Sequence, residues 1–245
     1  MTVRWLEADW PAEASIKAGT TLRDGGMSKG AYRSLNLGAN VADDPAAVIE
    51  NRRRLVQACE LPSAPNWLRQ THSTNVAHEE PANPDSGTDA IITRRAQSVC
   101  AVLTADCLPL LFAAVDGSEV AAAHAGWRGL CEGIIEATLN GMQTRPSMLL
   151  VWLGPAISQP AFEVGAEVRE QFLASNSAAA EHFVENANGR YQADLYGLAR
   201  QRLEAAGVSR IYGGGRCTFG EPDNFFSYRR DGQCGRMASF IYRAK

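Results

Sequence analysis

The stretch from Val99 to Ala123 most constrains what this chain can fold into. Val99 to Thr104, Pro109 to Val115 and Glu119 to Ala123 are short apolar runs, rich enough in Val, Leu and Phe to be buried strands. Asp116-Gly117-Ser118 between the last two is a hairpin turn signal. Pairing Val115 with Glu119 brings Leu110 opposite His124, with Cys107 close by along the same strand. A thiol and an imidazole are thereby expected as neighbours at one end of two buried strands.

Elements on either side alternate in type. Asp43-Asp44-Pro45, then Val48, Ile49, Arg52, Leu55, Val56 and Cys59 at helical spacing, predict a helix of about four turns stopped by Pro62. Leu130, Ile134, Ala137, Thr138 and Met142 predict a helix from Trp127 to Gln143, starting just after His124. Its N-terminus would offer free amides and the positive dipole end to an anion. Val164 to Ala174 and Ala193 to Ala206 also read as helices, the second closed by Gly207.

Ser15 to Thr21, Trp67 to Gln70, Ala90 to Thr93, Met148 to Leu153, Arg210 to Tyr212 and Met237 to Tyr242 read as strands, with Val76 and Ala77 resuming the second of them. Pro81, Pro84 and Gly87 mark a loop, and Arg23 to Gly38 is a long glycine-bearing segment without periodicity. Strands intermixed with helices predict an α/β (α+β) protein, a mixed sheet covered by helices, in a single domain over residues 1–245.

Charge and composition exclude several roles. A net charge of −3 gives no global attraction to nucleic acid or to an anionic membrane. The most apolar region, Val99 to Val115, contains Asp106, Cys107 and Pro109 and falls short of the roughly 20 apolar residues of a membrane span. Met1 to Pro11 lacks the basic and apolar segments of a secretory signal, so a cytoplasmic location is expected. Six cysteines without paired spacings are expected there as free thiols, most of them core fillers.

The chain has only four histidines. His78 in an acidic loop and His182 in an Ala/Glu stretch read as solvated bystanders, whereas His72 sits in a polar cluster between probable strands. Taken singly, His72, Cys107 and His124 each have a structural reading. Together, two histidines and one cysteine are a ligand set for catalytic zinc, which keeps a fourth position open. Their wide separation in sequence argues against a zinc finger.

Five ordered motifs go further: Gln70-Thr71-His72, Thr104-Ala105-Asp106-Cys107, Ala123-His124-Ala125-Gly126-Trp127-Arg128-Gly129, Gly154-Pro155-Ala156-Ile157 with Phe162-Glu163-Val164-Gly165, and Phe225-Phe226-Ser227-Tyr228-Arg229-Arg230-Asp231-Gly232. Together they resemble the YfiH-type laccase-domain family, whose members were first labelled polyphenol oxidases and later recognised as purine nucleoside phosphorylases. The likeness runs from about Gly19 to Tyr242. It implies that His72, Cys107 and His124 bind zinc, that Arg230 belongs to the active site with Cys107 and His124, and that the substrates are purine nucleosides and phosphate. It also implies phosphorolysis of adenosine, inosine, guanosine and methylthioadenosine, with adenosine deamination at the same metal. Zinc suits both chemistries, as a Lewis acid or by lowering the pKa of bound water.

Arg23, Asn36, Arg128 and Arg216 are further candidates for binding substrate or phosphate, against the reading that arginines beside glycines hold loops through backbone carbonyls. Asp106 either orients a ligand or turns the backbone before Cys107, and Glu163 has similar standing. Copper at the same His2Cys site is possible, but a laccase needs histidines for a trinuclear cluster as well as a blue copper, more than four. Three alternatives remain at this point: copper-dependent polyphenol oxidation, editing of a nucleotide-linked muramyl peptide in cell-wall synthesis, and a non-enzymatic structural metal domain.

Overall fold

A computed structural model describes residues 2–79 and 87–245; the Pro81 and Pro84 loop signals lie outside them. The strands in chain order are β1 (Trp5–Glu7), β2 (Ile16–Thr21), β3 (Val76–His78), β4 (Ala90–Thr93), β5 (Cys100–Thr104), β6 (Leu108–Ala114), β7 (Val120–Ala125), β8 (Leu149–Leu153), β9 (Glu163–Val164), β10 (Phe183–Glu185), β11 (Tyr191–Ala193), β12 (Arg210–Gly213) and β13 (Met237–Arg243). The α-helices are α1 (Pro45–Ala58), α2 (Trp127–Glu132), α3 (Ile134–Gly141), α4 (Ala166–Ser175), α5 (Leu195–Ala205) and α6 (Tyr228–Asp231).

The strands sort into more than the one sheet expected. An antiparallel sheet has the order β1-β2-β13-β5, a larger mixed sheet the order β12-β8-β6-β7-β4-β3, and β10-β11-β9 form a small third. Alternation along the strands explains how the first two stack. Leu111 and Ala113 of β6 and Val120 and Ala122 of β7 pack with Ala18, Val102 and Ile241 of the four-stranded sheet. Leu108, Leu110, Phe112, Ala121 and Ala123 point the other way, into a core shared with Ile135 and Leu139 of α3 and Leu198 of α5. Leu55 of α1 covers the far face of the smaller sheet, against Ala101 and Phe240. The result is helix, sheet, sheet, helix, which is why β6 is buried along its whole length and reads as a continuous apolar run.

The β6–β7 hairpin forms, one residue out of the expected register: Pro109, not Leu110, faces His124. The cause is at the turn. The Val115 amide donates to the Met148 carbonyl instead of joining the hairpin, so the last close pairing is Ala114 with Glu119. Glu119 in turn accepts from the amides of Gln143 and Thr144.

The helix expected from Trp127 to Gln143 is two helices. Gly133, at φ 104, ends α2 and opens α3, so only the six residues of α2 start beside His124. Trp67 to Gln70 is not a strand. The Gln70 side chain takes that role, its amide exchanging hydrogen bonds with the Leu103 carbonyl and amide at 2.7 Å each. The helix at Pro45–Ala58 matches its signals: Asp44 accepts from the Ala46 amide and Pro45 is the first residue.

Candidate metal centre and its cavity

Cys107 lies between Asp106, held at φ 95, and the first residue of β6, while His124 is the penultimate residue of β7. Hairpin pairing sets them side by side. His72 arrives from a loop, itself at φ 63, a conformation that a non-glycine residue keeps only when its surroundings fix it. Asp89 does the fixing. One carboxylate oxygen accepts from the amide of His72 at 3.0 Å, the other from the amide and hydroxyl of Ser73 at 2.7 Å each and from the Thr71 amide at 3.1 Å.

The same carboxylate accepts from His124 Nδ1 at 2.8 Å, and the Asp89 carbonyl accepts from the His124 amide at 2.7 Å. A carboxylate on Nδ1 holds a proton there, so Nε2 is the atom that would be offered to a metal. Asp89 is fully buried. Burial pushes its carboxyl up, but the hydrogen bonds from His124 and Ser73 prevail and hold it at about 2. Sequence reading passed over this residue. The available signal was its position: an acid directly preceding buried strand β4, which pairs with the strand of His124.

The ligand atoms of His72, Cys107 and His124 all lie within 4.8 Å of one another, with Cys107 Sγ 3.7 Å from His72 Nε2. Bond lengths for tetrahedral zinc place a sulfur and a nitrogen about 3.6 Å apart, so the spacing fits the metal. Burial raises the Cys107 thiol and lowers the His124 imidazole, yet their mutual attraction reverses both: the thiol moves down and the imidazole up. A thiolate is the form a metal needs. Gly126 leaves the room: a Cβ there would stand 2.5 Å from His72 Cδ2 and 3.1 Å from Cys107 Sγ.

All three ligands line a cavity of about 550 Å³ together with Gly38, Gln70, Thr104, Trp127, Tyr228, Arg52 and Arg236. That volume is in the range of small-molecule sites. The profile of the family described as multi-copper polyphenol oxidoreductase laccase matches residues 17–244. The chain belongs to this family.

Relatives within reach of direct comparison carry another description. A protein of Pseudomonas aeruginosa named purine nucleoside phosphorylase is 49% identical, over 97% of this chain and 98% of its own. Purine nucleoside phosphorylase YfiH of Escherichia coli is 51% identical, over 95% of this chain and 96% of its own. Among solved structures, a Neisseria meningitidis protein superposes with a TM-score of 0.92 at 48% identity, covering 98% of this chain and 99% of its own. YlmD of Geobacillus stearothermophilus gives 0.88 at 34% identity, covering 98% and 96%.

Within this laccase-like family member, the other candidates fall elsewhere. Arg230 is absent from the cavity lining; its guanidinium donates to the carbonyls of Thr218, Phe219 and Phe225 and pairs with Asp231. Arg216 is paired with Glu221 beside the Phe225 ring. Arg23 donates to the carbonyls of Pro222 and Arg33 and covers Phe226, and Arg128 is exposed with its guanidinium over Trp127. Asn36, fully buried, braces the Gly38 loop by accepting from the amides of Gly38 and Arg236.

Asp106 turns the chain and accepts from Thr218 Oγ1 and the Arg229 amide, so it ties strands to the 218–229 segment and touches no ligand histidine. Glu163 bonds Asn186 and Arg190, away from the cavity. His78 is exposed as expected, but His182 is not solvated: its side chain is 16% exposed and packs against Gly197, where a Cβ would come within 2.3 Å. Arg52 and Arg236, which line the cavity, were not singled out from sequence. Among the described residues no helix is long and apolar enough to cross a membrane.

Proposed function

We propose that this protein is a zinc-dependent purine nucleoside phosphorylase acting on adenosine, inosine, guanosine and methylthioadenosine, with adenosine deamination at the same centre. The observation that carries the reading is the opening of the His72-Cys107-His124 cluster onto the 550 Å³ cavity, in a chain whose near relatives are named purine nucleoside phosphorylase. A structural zinc is closed by four protein ligands, whereas three donors facing a cavity leave a place for substrate or water. Bound there, zinc supplies Lewis acidity toward substrate oxygen or water; copper fits the same donors, and its preference for them follows from affinity rather than geometry.

Phosphorolysis needs a phosphate oxygen to attack C1′ of the ribose while the C1′–N9 bond breaks and its electron pair leaves with the purine. The chain's residues serve that step by holding the reactants. Trp127 and Tyr228 offer aromatic surface to the purine. Gln70, pinned to the Leu103 backbone, fixes the wall next to His72. Asp89 keeps the His124 proton on Nδ1 and both histidines in place. Arg230 acts in this reading by anchoring the 218–231 segment from which Tyr228 reaches the cavity.

The test is to incubate metal-defined protein with adenosine and inorganic phosphate and to assay adenine, ribose 1-phosphate and inosine. Phosphate-dependent release of adenine and ribose 1-phosphate is expected. Absence of all three products sinks the reading, and oxidation of a phenol by copper-loaded protein alone favours the oxidase. Four histidines and, among the described residues, one three-ligand cluster do not provide a multicopper centre.

A further inference from the structure

Two arginines share the cavity with the candidate metal ligands, and among the described residues neither is paired with a carboxylate. Arg52, from α1, donates through Nε and Nη2 to the Leu37 carbonyl and stacks 4.2 Å from the Trp67 ring. Arg236, just before β13, donates through Nη1 to the carbonyls of Cys234 and Gly235, beside the Tyr228 ring. Burial pulls the Arg52 guanidinium down from its ordinary value, and no acidic group among the described residues offsets it. Other arginines of the chain do meet a carboxylate, as Arg53 and Arg54 with Glu50 and Arg216 with Glu221 show.

The two are held in register by one strip of backbone. Arg52 holds the Leu37 carbonyl, the Leu37 amide donates to the Arg236 carbonyl, and a Cβ on Gly38 would stand 2.8 Å from Arg236 Cγ. A third polar group shares the lining: Thr104 is 1% exposed, and its hydroxyl has no hydrogen-bond partner among the described residues. Two uncompensated guanidinium groups and an unsatisfied hydroxyl ask for an oxyanion, and a planar fork suits phosphate.

We propose that Arg52, Arg236 and Thr104 form the subsite for inorganic phosphate, in the same cavity as the candidate metal ligands. This deepens the phosphorylase reading and rests on it for the phosphate's role as nucleophile. Arg230, absent from the cavity lining and paired with Asp231, stands outside this subsite.

The experiment is calorimetric titration of inorganic phosphate into the zinc-loaded full chain, with Arg236→Met, Arg236→Lys, Arg52→Lys and Thr104→Val beside wild type, and the phosphate KM measured in parallel. Loss of a charge-assisted fork predicts binding and KM weakened about ten- to a hundredfold in Arg236→Met, less in the lysine variants, and about severalfold in Thr104→Val. Nucleoside KM and zinc content should hold, and the lysine variants guard against a loop merely unseated. Wild-type phosphate affinity and KM in the folded Arg236 and Arg52 variants overturn the subsite, as does wild-type protein that binds no phosphate. Phosphate binding that depends on these arginines in a protein without nucleoside turnover keeps the subsite and sinks the phosphorylase reading instead.

Discussion

The His72-Cys107-His124 end of the cavity and the 216–231 segment are both dense in polar side chains, and they spend them in opposite ways. At His72, Cys107 and His124 a buried carboxylate, Asp89, absorbs the amides and the one imidazole proton that would otherwise be unsatisfied, leaving three donor atoms converging on one point. Along 216–231 the donors of Arg216 and Arg230 go to Glu221, Asp231 and backbone carbonyls. Convergence with leftover valence marks a ligand site, and satisfied donors mark a scaffold.

Removing a convergent atom should have the largest effect. Cys107→Ala is expected to abolish zinc binding and turnover while far-UV circular dichroism stays native; unfolding of this variant would instead make the metal structural. Asp89→Asn comes next. It loosens both histidines and should weaken zinc binding about 10- to 100-fold in a competitive chelator titration. Unchanged affinity would separate Asp89 from the metal centre.

Arg230→Met tests the other side of the comparison. It strips donors from the carbonyls of Thr218, Phe219 and Phe225, which should cost about 2–3 kcal/mol and lower Tm by about 5–10 °C. Zinc content should be retained in the folded protein; its loss would join the two regions that the geometry keeps apart.

The smallest effect concerns protonation in metal-stripped protein. Burial raises the Cys107 thiol, but the neighbouring histidines prevail and hold it at about 6. Because the folded value is depressed, the thiolate persists at pH 7 and is lost as pH falls through about 6. Iodoacetamide should therefore label Cys107 near neutral pH, more slowly below that value, and hardly at all once zinc is restored. Cys59 and Cys100, which burial pushes up, should stay unlabelled in the folded state.

Sequence made the strands legible where apolar runs were continuous, and the Cys107–His124 neighbourhood followed from one hairpin. The register slipped by one because the Val115 amide bonds to Met148, remote in sequence. Gly133 broke the expected long helix at a left-handed residue that periodicity does not register. Short strands such as β10 and β11 carry too few residues for a pattern. Asp89, Arg52 and Arg236 escaped for a shared reason. Each is defined by what it faces across the fold, and a single acid or arginine in sequence looks like any solvated charge.

X-ray absorption at the zinc edge tests the central claim most directly. One sulfur at about 2.3 Å with nitrogen or oxygen neighbours at about 2.0–2.1 Å is the predicted first shell, lost in Cys107→Ala and altered when nucleoside and phosphate are added. Two or more sulfurs, or a shell indifferent to Cys107→Ala, would contradict a His72-Cys107-His124 centre open to the cavity.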